Sequence, residues 1–200
     1  MRIFHWVGAA LIGIMFLVSC SGGESNKGDD FFDKGAYEEA IQAYNNFLAA
    51  KPKNVKALYN RGRSYEELGQ FEQAEKDFLA ALELDKKNFQ VLLSLSNLYQ
   101  KQKKHNNALL YADYAVEIPG APAMAYFMKG RALHQLGNTI EAYKDYSTAI
   151  KMDKNFDMAY YYRGMLKIAT DRKKSGCEDL KSAARLNFAD AQEAFEKYCN

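Results

Sequence analysis

Three cysteines and three histidines are the side chains of this 200-residue chain best suited to covalent or acid–base chemistry. A thiolate is a nucleophile or half of a disulfide, and an imidazole titrates near neutral pH. Their spacing supports little catalysis. His5, His105 and His134 lie far apart, and no Ser–His–Asp set, phosphate loop or metal-ligand cluster accompanies them. Adjacent acids such as Glu38–Glu39 and Glu66–Glu67 fall in amphipathic stretches, where a solvated face is the ordinary reading. Lys103–Lys104 and Lys173–Lys174 are too small for a nucleic-acid patch, and a net charge of +2 gives no basic footprint. We therefore expect no catalytic residue, no metal, no cofactor and no nucleic-acid partner. Chemistry rests on the cysteines and on surfaces.

The elements that position those surfaces repeat. Val55 to Asn88 is a 34-residue unit whose pattern returns at 89, 123 and 157. A fixed period of this length marks stacked repeats. With each unit numbered from 1 to 34, column 8 holds Gly62, Ser96, Gly130 and Gly164. Column 20 holds Ala74, Ala108, Ala142 and Gly176, and column 27 holds Ala81, Ala115, Ala149 and Ala183. Small residues recur where one helix backbone approaches another, with larger apolar groups between them at helical spacing. Column 15 is Gly69 and Gly137, suited to a helix C-terminus.

These columns resemble the tetratricopeptide repeat, a helix–turn–helix module. The resemblance implies an all-α solenoid, a right-handed superhelix whose first (A) helices line a concave groove with columns 2, 5, 6, 9, 12 and 13. Residues 29–54 read as a partial first unit, with a short A helix starting near Lys27–Asp30. Units follow at 55–88, 89–122 and 123–156. The unit at 89 lacks the turn glycine, having Lys103, and ends in Pro119-Gly120-Ala121-Pro122, which stops its second (B) helix early. The unit at 157–190 is degenerate, with Asp171–Arg172 at the turn. Residues 191–200 then form a capping helix, with Asp190 placed to N-cap it.

The N-terminus reads as a targeting segment. Arg2 precedes an apolar run ending Leu17-Val18-Ser19-Cys20, which resembles the lipobox of bacterial lipoproteins. That resemblance implies a signal peptide over 1–19, lipidation of Cys20, and a polar tether over 20–28. An uncleaved signal anchor is the alternative. Ser21 after the lipidated residue would permit sorting to the outer membrane. With Cys20 consumed by lipid, Cys177 and Cys199 remain as an even pair, both eleven residues from a turn near Phe188. Equal distances from the turn of a helical hairpin place two residues side by side, so we expect a disulfide; two separate thiols is the other reading.

The groove columns carry the binding expectation. Columns 5 and 9 give Tyr59, Arg63, Asn97, Phe127, Arg131 and Tyr161. Tyr and Arg are enriched at binding hot spots. The alternative for Phe127 and Tyr161 is that they pack between neighbouring A helices. The chain reads as a lipid-anchored scaffold in a bacterial cell envelope, binding protein partners as an adaptor or assembly factor. A small-ligand or peptide binder using the aromatic end of the groove is the competing class, and an enzyme with a site invisible in sequence is another.

Overall fold

The computed structural model describes residues 23–200. The expected signal peptide, Cys20 and residues 21 and 22 of the expected tether lie outside the described residues. What is described is an all-α solenoid. Its helices are α1 (Gly23–Asp33), α2 (Tyr37–Ala50), α3 (Val55–Glu67), α4 (Phe71–Leu84), α5 (Phe89–Lys101), α6 (His105–Glu117), α7 (Ala123–Gln135), α8 (Thr139–Met152), α9 (Asp157–Ala169), α10 (Lys173–Arg185) and α11 (Ala191–Cys199). Consecutive helices pair antiparallel, and α3, α5, α7 and α9 form a row of neighbouring A helices.

The pairing within each unit turns on column 8. Gly62 lies under Phe78, so that a Cβ there would sit 2.7 Å from the ring. Gly130 lies under Tyr146 in the same way, at 2.8 Å. Column 24 thus supplies a fully buried ring, and column 8 supplies the space for it. In the unit at 89 the sizes are exchanged. Ser96 replaces glycine, Ala112 replaces the ring, and the Ser96 hydroxyl donates to the Ala108 carbonyl at 2.9 Å.

The same rule corrects the expectation for the first unit. Gly28 occupies column 8, and a Cβ there would lie 2.6 Å from Tyr44 at column 24. The A helix begins at Gly23, so residues 23–28 belong to a helix rather than to a tether, and the unit is not partial in the sense expected. A polar, glycine-containing stretch became helical because its one small apolar face had an aromatic ring to cover.

The turns keep one backbone shape despite different residues. Column 15 has positive φ at Gly35, Gly69 and Gly137, and also at Lys103 and Asp171. The substituted turns retain the helix-ending bonds, with Lys104 N–H donating to the Tyr99 carbonyl as Gln70 N–H does to Tyr65. Left-handed φ costs an ordinary residue about 1–2 kcal/mol, a strain these two units absorb through packing. Helix α6 does stop early, at Glu117, and Pro122 becomes the N-cap of α7, where no backbone N–H is needed. Asp190 stands at the N-cap of α11 but makes no side-chain capping bond, contrary to expectation, because its ψ is near zero rather than extended.

Ion pairs tie units together. Arg61 forks onto Asp77 at 2.7 and 2.6 Å and reaches back to Asn45 on α2 at 2.7 Å. Three units later Arg163 repeats this with Asp179 and with Ser147 on α8. In the unit at 123 the column is occupied by Lys129, which pairs with Asp113 on α6 at 2.8 Å. Asp145, at the aspartate column, is left without a fork. Burial, with Asp113 and Glu141 adding to it, pushes its carboxyl up to about 6.

Two measurements check this account. Gly62→Ala and Gly130→Ala each lower stability by about 1–3 kcal/mol in chemical unfolding, the usual cost of overpacking. Combining Gly62→Ala with Phe78→Ala costs less than the sum of the single changes. The second concerns Asp145. Its folded pKa lies above the unfolded value near 3.8, so the folded state holds the extra proton and stability falls as pH rises from about 4 to about 6. Asp145→Asn removes that slope and raises the melting temperature at pH 7.

Candidate functional site: the concave groove

The exposed edges of α3, α5, α7 and α9 form the candidate surface. Each A helix spends one side on its own B helix, through columns 8 and 4, and columns 2 and 9 remain for the groove, with columns 5 and 6 at its border. At the N-terminal end the polar groups converge on one carboxylate. Asp29 of α1 accepts from the Tyr44 hydroxyl at 2.6 Å, from Lys56 Nζ at 2.7 Å and from Asn60 Nδ2 at 2.8 Å. Burial works to raise the Asp29 carboxyl, but these hydrogen bonds outweigh it and hold it below the usual carboxylate range. Beside this cluster a cleft of about 510 Å³ is lined by Lys56, Tyr59, Asn60, Arg63, Asn88 and Gln90, among others.

Arg63 crosses the groove here. Its guanidinium lies 4.4 Å from the Phe32 ring and 6.0 Å from Tyr59. Tyr59 is half-buried and tilts against Phe78 at 5.9 Å. In the middle, Asn97 Nδ2 donates to Glu66 Oε1 at 3.0 Å, and Lys101 also pairs with Glu66. At the C-terminal end Arg131 lies 5.5 Å from the Tyr162 ring and 5.8 Å from Phe127.

Two expected groove residues are placed differently. Phe127 is 1% exposed and packs against Phe156 at 5.0 Å, Tyr162 at 5.6 Å and Tyr146 at 5.9 Å. It is core, not a contact surface, because column 5 here faces the seam into the next unit. Tyr161 is half-buried and its ring tilts against Phe188 at 4.7 Å, at the edge of a cleft of about 230 Å³ lined by Glu193, Lys197 and Tyr198 of α11. The capping helix therefore covers much of the aromatic end.

Cys177 and Cys199 are bonded, with Cα atoms 5.7 Å apart, which pins α11 to α10. His105 Nδ1 is 3.0 Å from Gln100 Oε1, and His134 Nδ1 is 3.4 Å from the Tyr146 hydroxyl. Burial lowers the His134 pKa. Sequence reasoning did not single out Asp29, and it placed Tyr162 in the groove without the contact it makes. The signal for Asp29 was its place at column 9 of a unit read as half tether. Tyr162 sits at groove column 6, and the structure adds that its ring supports Arg131 from the neighbouring unit.

The paired helices, the glycine seats and the row of A helices make a known architecture. Tetratricopeptide-repeat profiles match residues 25–89, 59–125 and 123–156. The chain belongs to the tetratricopeptide-repeat family. Human tetratricopeptide repeat protein 6 is 28% identical over 154 residues, which are 76% of this chain and 29% of that protein. An Arabidopsis thaliana Hsp70–Hsp90 organizing protein is 36% identical over 62 residues, 31% of this chain and 11% of that one. The chain thus spans less than a third of these relatives. Among solved structures, MamA from Desulfovibrio magneticus RS-1 superposes with a TM-score of 0.76 at 20% identity, over 84% of this chain and 96% of that one. YrrB, described as a TPR protein with an unusual peptide-binding site, gives 0.68 at 22% identity over 86% and 90%. At such identities the superpositions establish the tetratricopeptide solenoid fold alone; it is the family match that supports a protein–protein interaction scaffold as the general role.

The burial of Phe127 separates two effects that a groove residue would combine. Phe127→Ala lowers stability by about 3–5 kcal/mol, the range for emptying a buried aromatic site. Arg131→Met, which keeps the aliphatic stem on Tyr162, changes it by no more than about 1 kcal/mol. Urea unfolding followed by circular dichroism distinguishes these outcomes.

Proposed function

We propose that this protein is a membrane-anchored scaffold on the extracytoplasmic side of a bacterial envelope, docking protein partners along its concave groove. One observation carries the docking role. A continuous row of half-buried polar, aromatic and methionine side chains runs along α3, α5, α7 and α9, from Tyr59 and Arg63 through Asn97 and Arg131 to Met158 and Met165. Those helices are held to their B helices by other columns, so the row is available to a partner without loss of the core. The peptide-binding description of YrrB supports the same use of this fold.

The anchoring role rests on different residues. Leu17-Val18-Ser19-Cys20 supplies the lipid acceptor, and Ser21 suits outer-membrane sorting. None of the described helices is long and apolar enough to cross a membrane. A bonded Cys177–Cys199 pair supports an oxidising compartment, where such bonds persist. An adaptor or assembly factor in an envelope complex fits an anchored solenoid with an open groove.

Metabolic labelling with a clickable fatty-acid analogue tests the anchor. The wild type takes the label and moves with the membrane fraction; Cys20→Ala does neither. Equal labelling of the two proteins refutes lipidation at Cys20.

A further inference from the structure

Four arginines of the repeat units fall into two classes. Arg61 and Arg163, at column 7, each fork onto a buried aspartate. Arg63 and Arg131, at column 9, form no ion pair and no hydrogen bond among the described residues. Each instead lies against two aromatic rings, Phe32 and Tyr59 for Arg63, Phe127 and Tyr162 for Arg131. An aromatic ring attracts the face of a guanidinium and leaves its edge N–H donors unspent. The groove carboxylates that would neutralise them are already taken. Asp29 is held by Lys56, Asn60 and Tyr44, and Glu66 by Lys101 and Asn97. The groove therefore keeps two positioned, uncompensated positive forks.

We infer that the groove recognises an acidic, extended segment of a protein partner, with one carboxylate on Arg63 and a second on Arg131. This rests on the groove reading above and names the chemistry of its partner. Two repeats separate the arginines. With neighbouring helices about 10 Å apart, they stand about 20 Å from each other. Extended chain crosses that distance in about six residues. Asn97, at the same column midway between them, offers an amide to the intervening backbone. Leu93, Met124 and Met158 are half-buried along the same row and supply apolar contact. A fork with its ring platform already formed loses little side-chain freedom on binding, which favours these two sites over the 65%-exposed Lys56, already paired with Asp29.

The test uses the full-length protein in mild detergent and fluorescence anisotropy. The probes are a labelled peptide with two glutamates about six residues apart on a Ser/Ala/Leu background, its double-glutamine analogue, and an oligothymidylate of matching charge. The glutamate peptide binds, and more weakly as salt rises. Each charge-assisted contact is worth roughly tenfold, so the glutamine analogue binds about a hundredfold more weakly. Arg63→Met and Arg131→Met each weaken the glutamate peptide about tenfold and flatten its salt dependence, with melting temperatures unchanged. Equal binding of the two peptides, or undiminished binding by both variants, overturns the inference. So does tighter binding of the oligothymidylate through the same arginines, which would point to nucleic acid. If the peptides bind equally and Asn97→Ala weakens both, the groove reading survives and only its acidic preference fails. If no groove substitution changes any peptide affinity, the groove reading fails with it.

Discussion

The structure depends on the seat between column 8 and column 24. A helix backbone stripped to glycine receives the flat side of a tyrosine or phenylalanine from its partner, and the two helices close to a distance no Cβ would allow. This contact recurs at Gly28–Tyr44, Gly62–Phe78 and Gly130–Tyr146. Where the ring is absent, Ser96 fills the glycine position and Ala112 the ring position, both fully buried, so the larger residue of the pair moves to the A helix. At the last pair Gly164 and Gly176 bring the two backbones themselves together, with a Cβ on Gly164 only 3.0 Å from the Gly176 carbonyl oxygen. Close packing makes such seats sensitive to a single methyl group.

The seat also decides what the other faces do. Because columns 8 and 24 lock each A helix onto its B helix, columns 2 and 9 turn to the open side, while column 6 ranges from half-buried Asn60 to the buried Met128. Column 5 lies at the border, and its fate depends on the next unit. Tyr59 stays half-exposed, whereas Phe127 is drawn under Phe156 and Tyr162. The ends of the stack are treated differently. At the N-terminal end Asp29 gathers Lys56 and Asn60 from the second unit, so that α1 is tied down by polar bonds. At the C-terminal end α11 buries Ala191 and Ala194, turns Gln192, Glu193, Glu196 and Lys197 to solvent, and is held by the Cys177–Cys199 bond. An open stack needs such closure, since its last repeat has no following unit to cover it.

Much of the fold was legible because it repeats. The alternation of small and large columns at a period of 34 marked the helices from Val55 onward, and the turn glycines marked where they end. The start of the first helix was hidden by composition: Gly23 to Asp30 is polar and glycine-containing, and only the register that places Gly28 under Tyr44 reveals it. Lys103 and Asp171 looked like departures in the turns, yet both adopt the same positive φ, since the flanking packing outweighs the local cost. The groove was legible by column but not by exposure. Periodicity assigns a face of a helix, whereas the burial of Phe127 depends on Phe156 and Tyr162 from the following unit. Column 6 placed Tyr162 on the groove face, but its contact with Arg131 depends on how the following unit packs, which periodicity does not give.

The central claim is that the protein acts through its A-helix face. Site-specific photocrosslinking in intact cells tests it most directly. A benzophenone amino acid is placed at Asn97 or Met124, both half-buried on the A helices, or at Leu110, which is 44% exposed on α6. The account predicts a discrete protein adduct from Asn97 and Met124 that is absent from Leu110. An adduct formed from Leu110 alone would contradict it and move the working surface to the B helices.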